Sequence, residues 1–124
     1  MATVVVMDDD PVVLNVIERT LNMDGHEVLA FPDAQPVLDE VDFQNIDLIV
    51  TDLSMPTPGE VVIRTLRHRG ITVPILVLSG YLDDQKKDYL LGLGAQGVMF
   101  KPFSLKALLA QVRDLLVQKH TESI

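Results

Sequence analysis

The sequence predicts an α/β domain: an open, doubly wound, five-stranded parallel sheet with five helices. Three observations carry that expectation. Short apolar runs, each too short for a helix, alternate strictly with segments whose apolar residues recur at three- and four-residue spacing. Most of the runs are rich in Val, Ile and Leu throughout, as strands buried on both faces of a parallel sheet are. Every connection between runs carries a helix pattern, and right-handed crossovers then place helices on both faces of the sheet.

Thr3–Met7 reads as the first strand. Asp10 is placed to cap a helix whose first residue is Pro11 and whose inner face carries Leu14, Ile17 and Leu21; Asp24-Gly25 ends it. His26–Ala30 is more mixed, as an edge strand is, and Asp33 is expected to cap a short second helix. Leu48–Thr51 is the third strand, and Gly59 to Arg69 the third helix, stopped by Gly70. Ile75–Ser79 follows as the fourth strand, Asp83 to Leu91 as the fourth helix and Gly97–Phe100 as the fifth strand. The last helix has the clearest pattern: Ser104 as cap, then Leu105, Leu108, Leu109, Val112, Leu115 and Leu116 on one face. One domain is expected over 1–124, with its core at about 3–118 and a tail over 119–124.

Composition narrows the function. The net charge of -8 repels phosphate backbones and anionic lipid, so direct nucleic-acid or membrane binding by this domain is not expected. The absence of cysteine removes disulfides, thiolate metal sites and cysteine nucleophiles. No apolar run approaches the ~18 residues of a membrane span. Asp8, Asp9 and Asp10 interrupt the only N-terminal run that a signal peptide could use. A cytoplasmic domain is the expectation.

In a parallel sheet of this kind, ligands bind outside the carboxyl ends of the strands. There the sequence places Asp8, Asp9 and Asp10 after the first strand, Asp52 after the third, Ser79 after the fourth, and Lys101-Pro102 after the fifth. Each has a plain structural reading alone: Asp10 as a cap, Ser79 as a turn residue, Lys101 as a solvated charge. Their convergence is what points to chemistry. Two carboxylates ~4 Å apart repel by roughly 4 kcal/mol near a protein surface, and one hydrogen bond returns only ~1 kcal/mol. A cluster of Asp8, Asp9 and Asp52 therefore calls for protons or a divalent cation, and its all-oxygen donors suit Mg²⁺. Lys101 and Ser79 offer a phosphoryl group its counter-charge and a hydroxyl donor, and an aspartate attacking phosphorus forms an acyl phosphate.

These residues resemble the receiver domains of two-component response regulators, and the resemblance covers Thr3 to about Gln118. It is carried by Val-Val-Met-Asp8-Asp9-Asp10-Pro11, Asp47-Leu-Ile-Val-Thr-Asp52-Leu-Ser-Met55-Pro56, Leu-Val-Leu-Ser79-Gly80 and Phe-Lys101-Pro102-Phe103. It implies a flavodoxin-like topology with strand order 2-1-3-4-5. It implies Asp52 as phosphoacceptor, Asp9 and Asp52 as Mg²⁺ ligands with the Ser54 carbonyl, and Asp8 acting through water, with Mn²⁺ able to substitute. Ser79 and Lys101 would hold the phosphoryl group, and a cis bond is common before Pro102. The implied partners are a histidine kinase or histidine phosphotransfer protein, and a downstream protein or second copy on the fourth helix, fifth strand and fifth helix. The role implied is signalling, with self-phosphorylation and self-dephosphorylation but no metabolic reaction.

The chain departs from the family pattern in places. Receivers often carry an aromatic residue where Val98 stands, and Phe100 is expected on the opposite face of its strand, so that activation would be conformationally muted. Met55-Pro-Thr-Pro-Gly59 is one residue shorter than usual, and Pro58 restricts Thr57. Tyr81 is placed to screen an attacking water that Ser54 cannot orient, which implies slow self-dephosphorylation.

Two other readings compete. Asp8-x-Asp10 also fits a haloacid-dehalogenase-like phosphatase with Asp8 as nucleophile, although that leaves Asp52 without a purpose. A pseudo-receiver, docking without phosphotransfer, would be expected to lack Asp52 or Lys101. Gly92-Leu-Gly94-Ala-Gln-Gly97 matches a dinucleotide motif, but a helix precedes it and a strand follows, which is the reverse of what that motif needs. His26, His68 and His120 read as surface residues, and the run Asp83 to Asp88 as a solvated helix face.

Overall fold

The computed structural model describes residues 2–80 and 83–122. In chain order it contains β1 (Thr3–Met7), α1 (Pro11–Met23), β2 (Glu27–Phe31), α2 (Gln35–Glu40), a 3-10 turn (Phe43–Asn45), β3 (Leu48–Asp52), α3 (Gly59–His68), β4 (Ile75–Ser79), α4 (Asp84–Leu93), β5 (Gly97–Phe100) and α5 (Leu105–Glu122). The five strands form one parallel sheet in the order β2-β1-β3-β4-β5.

Strand alternation splits the core into two apolar layers. Val5, Met7, Ile49, Ile75, Val77 and Val98 face α2, α3 and α4, meeting Val37, Ile63, Leu66 and Leu90. Val4, Val6, Leu48, Val50, Leu76, Leu78 and Met99 face α1 and α5, meeting Ile17, Leu21, Leu108, Val112 and Leu115. Every residue of β3 and β4 is buried, as the unbroken apolar runs require. β2 is the partly exposed edge strand the sequence suggested, one residue further on than expected.

The helix starts obey their caps with one exception. Asp10 Oδ1 accepts the Val12 N–H at 2.9 Å with Pro11 at the first helical position, and Ser104 Oγ accepts the Ala107 N–H at 3.0 Å. Asp83 Oδ1 accepts the Gln85 N–H, so α4 begins one residue after its cap. Asp33, expected to cap α2, does not. The cap position is Ala34, whose side chain bonds nothing, and the Asp33 carboxylate holds Thr57 as well as meeting the Ala34 and Gln35 backbone beside it. α5 also runs on to Glu122, through most of the segment expected as a tail, because nothing after Gln118 breaks a helix until then. His26 is not a surface residue: its Nδ1 accepts the Ala2 N–H at 3.3 Å and its side chain is largely covered.

α4 buries a single residue, Leu90, and is tied to α3 by polar contacts at three levels. Lys86 Nζ donates to Glu60 Oε2 at 2.9 Å, and Arg64 Nη2 to Tyr89 Oη at 2.6 Å. At the far end Arg67 donates twice to the Gly94 carbonyl, and also to the Ile71 carbonyl and Gln96 Oε1. Lys86 is thus the exception in a charge run that otherwise faces solvent.

Gly59 opens α3 directly beneath the end of β3. Its N–H donates to the Leu53 carbonyl at 3.1 Å, and a Cβ there would lie 2.7 Å from the Asp52 carbonyl oxygen and 2.9 Å from Leu53 Cδ2. Backbone cannot yield as a flexible side chain can. Gly59→Ala is expected to cost about 1–3 kcal/mol by overpacking, read as a lower urea midpoint; an unchanged midpoint would show that the β3–α3 connection has slack.

Candidate functional site

Strand register assembles the site. Met7 pairs with Thr51 across β1 and β3, so the next residues, Asp8 and Asp52, emerge side by side. Asp52 pairs with Leu78, which brings Ser79 alongside, and Ser79 pairs with Phe100, which brings Lys101 to the same edge. Four strand ends thus deliver the residues that the sequence singled out.

Lys101 joins the two carboxylates. Its Nζ donates to Asp8 Oδ2 at 3.0 Å and lies 3.3 Å from Asp52 Oδ1. Asp8, Asp52 and Ser79 are only 1%, 5% and 1% exposed, whereas Asp9 faces solvent. Asp8 Oδ1 accepts the Asp10 N–H at 2.9 Å, so both Asp8 oxygens are engaged, and Asp52 Oδ1 also accepts the Leu53 N–H at 2.9 Å. The Lys101–Pro102 peptide bond is cis, and the Lys101 N–H donates to the Ser79 carbonyl at 2.7 Å.

The electrostatics follow from burial. Loss of water pushes the Asp52 pKa above its ordinary 3.8 and the Asp8 charge pushes it further, while Lys101 and the Leu53 N–H pull the other way without prevailing. For Lys101, burial works against the ammonium, but Asp8 and Asp52 outweigh it and raise the pKa. Asp8, Asp9 and Asp52 each offer an oxygen within 4.8 Å of the others. Oxygen-only donors carrying excess negative charge fit a hard divalent cation.

The remaining sequence-derived candidates are distributed around this pocket. Ser54 is exposed in the β3–α3 connection, and Val98 is buried in the layer under α3 and α4. Phe100 packs against that same layer, contrary to expectation: residues two apart on a strand share a face, and it is Met99 that turns to the other side. The expectation of muted activation then rests on Val98 alone. Tyr81 lies outside the described residues. Sequence reasoning missed the clamp that Asp33 places on Thr57, 24 residues away, since no local spacing signals it.

The sequence model of the response regulator receiver domain matches residues 4–113. Response regulator MprA of Mycolicibacterium vanbaalenii is 36% identical over 114 residues, covering 91% of this chain and 49% of its own. The nisin biosynthesis regulatory protein NisR of Lactococcus lactis is 35% identical over 112 residues, covering 88% of this chain and 48% of its own. Among solved structures, the receiver domain of Francisella response regulator 1452 superposes with a TM-score of 0.90 at 28% identity, covering 95% of this chain and 98% of that one. Chemotaxis response regulator CheY4 of Vibrio cholerae gives a TM-score of 0.86 at 28% identity, with 93% and 98% covered. The chain belongs to the receiver domains of two-component response regulators. It spans about half the length of the curated relatives it matches. Among the described residues no helix is long and apolar enough to cross a membrane.

The raised Asp52 pKa sets a pH dependence. Between the unfolded value and the raised folded one, the metal-free folded domain keeps a proton that the unfolded chain has lost. That contribution to stability is complete below the unfolded pKa and disappears as pH rises through the folded one. Asp52→Asn, which cannot ionise, is therefore expected to melt higher than the parent in EDTA at neutral pH. The gap should close as the buffer is acidified towards the ordinary carboxylate range. Thermal unfolding across pH reads this directly; an Asp52→Asn melting temperature at or below the parent's at neutral pH would contradict it.

Proposed function

We propose that this domain accepts a phosphoryl group from the phosphohistidine of a histidine kinase or phosphotransfer protein onto Asp52, and changes conformation when it does. The observation that carries the reading is Lys101 Nζ set between Asp8 Oδ2 and Asp52 Oδ1 with the buried Ser79 alongside. An Asp52 carboxylate oxygen attacks phosphorus as the P–N bond to the donor imidazole breaks, and the nitrogen leaves with the bond's electrons. A bound Mg²⁺, or Mn²⁺ in its place, supplies positive charge to the phosphoryl oxygens. Asp9, Asp52 and the Ser54 carbonyl would hold it directly, and Asp8 through water. Lys101 pairs with a phosphoryl oxygen and the Ser79 hydroxyl donates to another, in positions fixed before the reaction.

Those two contacts exist only in the phosphorylated state. Charge-assisted hydrogen bonds contribute ~1.5–3 kcal/mol each, against the ~5.5 kcal/mol that inverts a 1:99 equilibrium. Together they support a partial to nearly complete population shift. The readout surface in this reading is α4, β5 and α5, open to a downstream protein or a second copy, in a cytoplasmic signalling domain rather than a metabolic enzyme. The acidic surface disfavours direct nucleic-acid contact by this domain. Tyr81 as a screen against hydrolysis, and Ser54 as a residue that cannot orient the attacking water, remain part of the proposal and support a long-lived phosphoryl group.

Intact mass after incubation with Mg²⁺ and phosphoramidate is the test. The parent is expected to gain one phosphoryl group and Asp52→Asn none, while Lys101→Ala reacts about a hundredfold more slowly. An adduct that survives Asp52→Asn moves the nucleophile to Asp8 and favours the phosphatase reading. No adduct together with no Mg²⁺ binding favours a docking module.

A further inference from the structure

The connection from Leu53 to Pro58 carries the Ser54 carbonyl, and its two ends are fixed by β3 and α3. The Leu53 N–H donates to Asp52 Oδ1 at 2.9 Å and to the Leu78 carbonyl at 3.3 Å, and Gly59 closes the far end on the Leu53 carbonyl. Its middle is held from a different element. Asp33, between β2 and α2, accepts the Thr57 N–H at 2.9 Å on Oδ1 and the Thr57 hydroxyl at 3.0 Å on Oδ2. Thr57 stands between Pro56 and Pro58, and proline has no N–H, so Thr57 is the only backbone donor between Met55 and Gly59. Partial burial works to raise the Asp33 pKa, but the bonds from Thr57 and from the Ala34 and Gln35 backbone outweigh it and lower it. Both Thr57 bonds are therefore made to a carboxylate, the stronger kind of acceptor.

We propose that Asp33 is a positioning residue for the divalent-cation site: by clamping Thr57 it fixes the segment that presents the Ser54 carbonyl, and so sets cation affinity. The inference rests on the reading above, in which that carbonyl is a ligand. Without the clamp the segment samples other conformations, and cation binding must itself supply the free energy of ordering it.

Mg²⁺ titration of the full chain, followed by amide shifts in NMR spectra, tests this on the parent, Asp33→Ala, Asp33→Asn and Thr57→Val. Residues that orient metal ligands typically change affinity by 10–100-fold, and Asp33→Ala is expected near the low end, about tenfold weaker. Asp33→Asn keeps an oxygen for the Thr57 N–H, and Thr57→Val loses only the hydroxyl bond; both should fall between. In phosphoramidate reactions the half-saturating Mg²⁺ concentration should rise, while the rate at saturating Mg²⁺ stays within about twofold of the parent. General loss of structure would instead lower the rate at every Mg²⁺ concentration. Parental affinity in Asp33→Ala overturns the inference. If Asp33→Ala does not fold, parental affinity in both milder variants overturns it. A parent that binds no Mg²⁺ overturns the reading of the site itself, and the inference with it.

Discussion

Asp8 and Asp52 are taken out of water beside each other at the centre of the sheet edge, and the Lys101 ammonium between them is what makes that placement tolerable. At a separation of ~4 Å two such charges repel by roughly 4 kcal/mol, a large share of the ~5–15 kcal/mol that holds a typical domain folded. Lys101 reaches them from the opposite half of the sheet, 93 residues along the chain from Asp8. It can do so only because β4 and β5 continue the register that β1 and β3 begin. Sheet order, strand length and the two apolar layers all serve this one triangle of charges. Compensation is still incomplete. Three carboxylates against one ammonium leave two negative charges, which one divalent cation would balance.

The rigidity of the pocket has a plain source. Its side chains leave from the ends of strands buried on both faces, where packing permits little movement. The connection after Asp52 is restrained as well, by two prolines, a glycine that admits no side chain and the Asp33 carboxylate. A short loop is precise when its middle is tied down as well as its ends.

Most of this was legible in the residues. Val4 to Met7 and Ile75 to Leu78 could hardly be anything but buried strands, and once the strands are placed, Asp8, Asp52, Ser79 and Lys101 fall at one edge. The failures share a cause. Asp33 has the chemistry of a cap, yet its carboxylate met a better donor pair in Thr57, which only tertiary proximity brings near. The side chain of His26 is engaged by Asp24 two residues before it and by the Ala2 N–H, and the second of these, 24 residues away, has no local signal. Phe100 was a different kind of miss, since the two-residue period of a strand already places it with Val98. α5 extends to Glu122, into the segment read as a tail, because a polar stretch without Gly or Pro still has every reason to remain helical.

The polar seam between α3 and α4 is uneven along its length. Near the start of α4 there is one ion pair between partly exposed side chains, a contact of the kind that salt readily screens. At the far end, Arg67 fixes Gly94 through short bonds to backbone oxygen, where there is no opposing charge to screen. Leu90 and, less deeply, Leu93 anchor α4 to the core, both in its second half. The more weakly held end is the one nearest Ser79, and the more firmly held end is the one that feeds β5. The two ends of α4 are thus held by contacts of different kinds, so added salt loosens the end near Ser79 and leaves the end that feeds β5 in place.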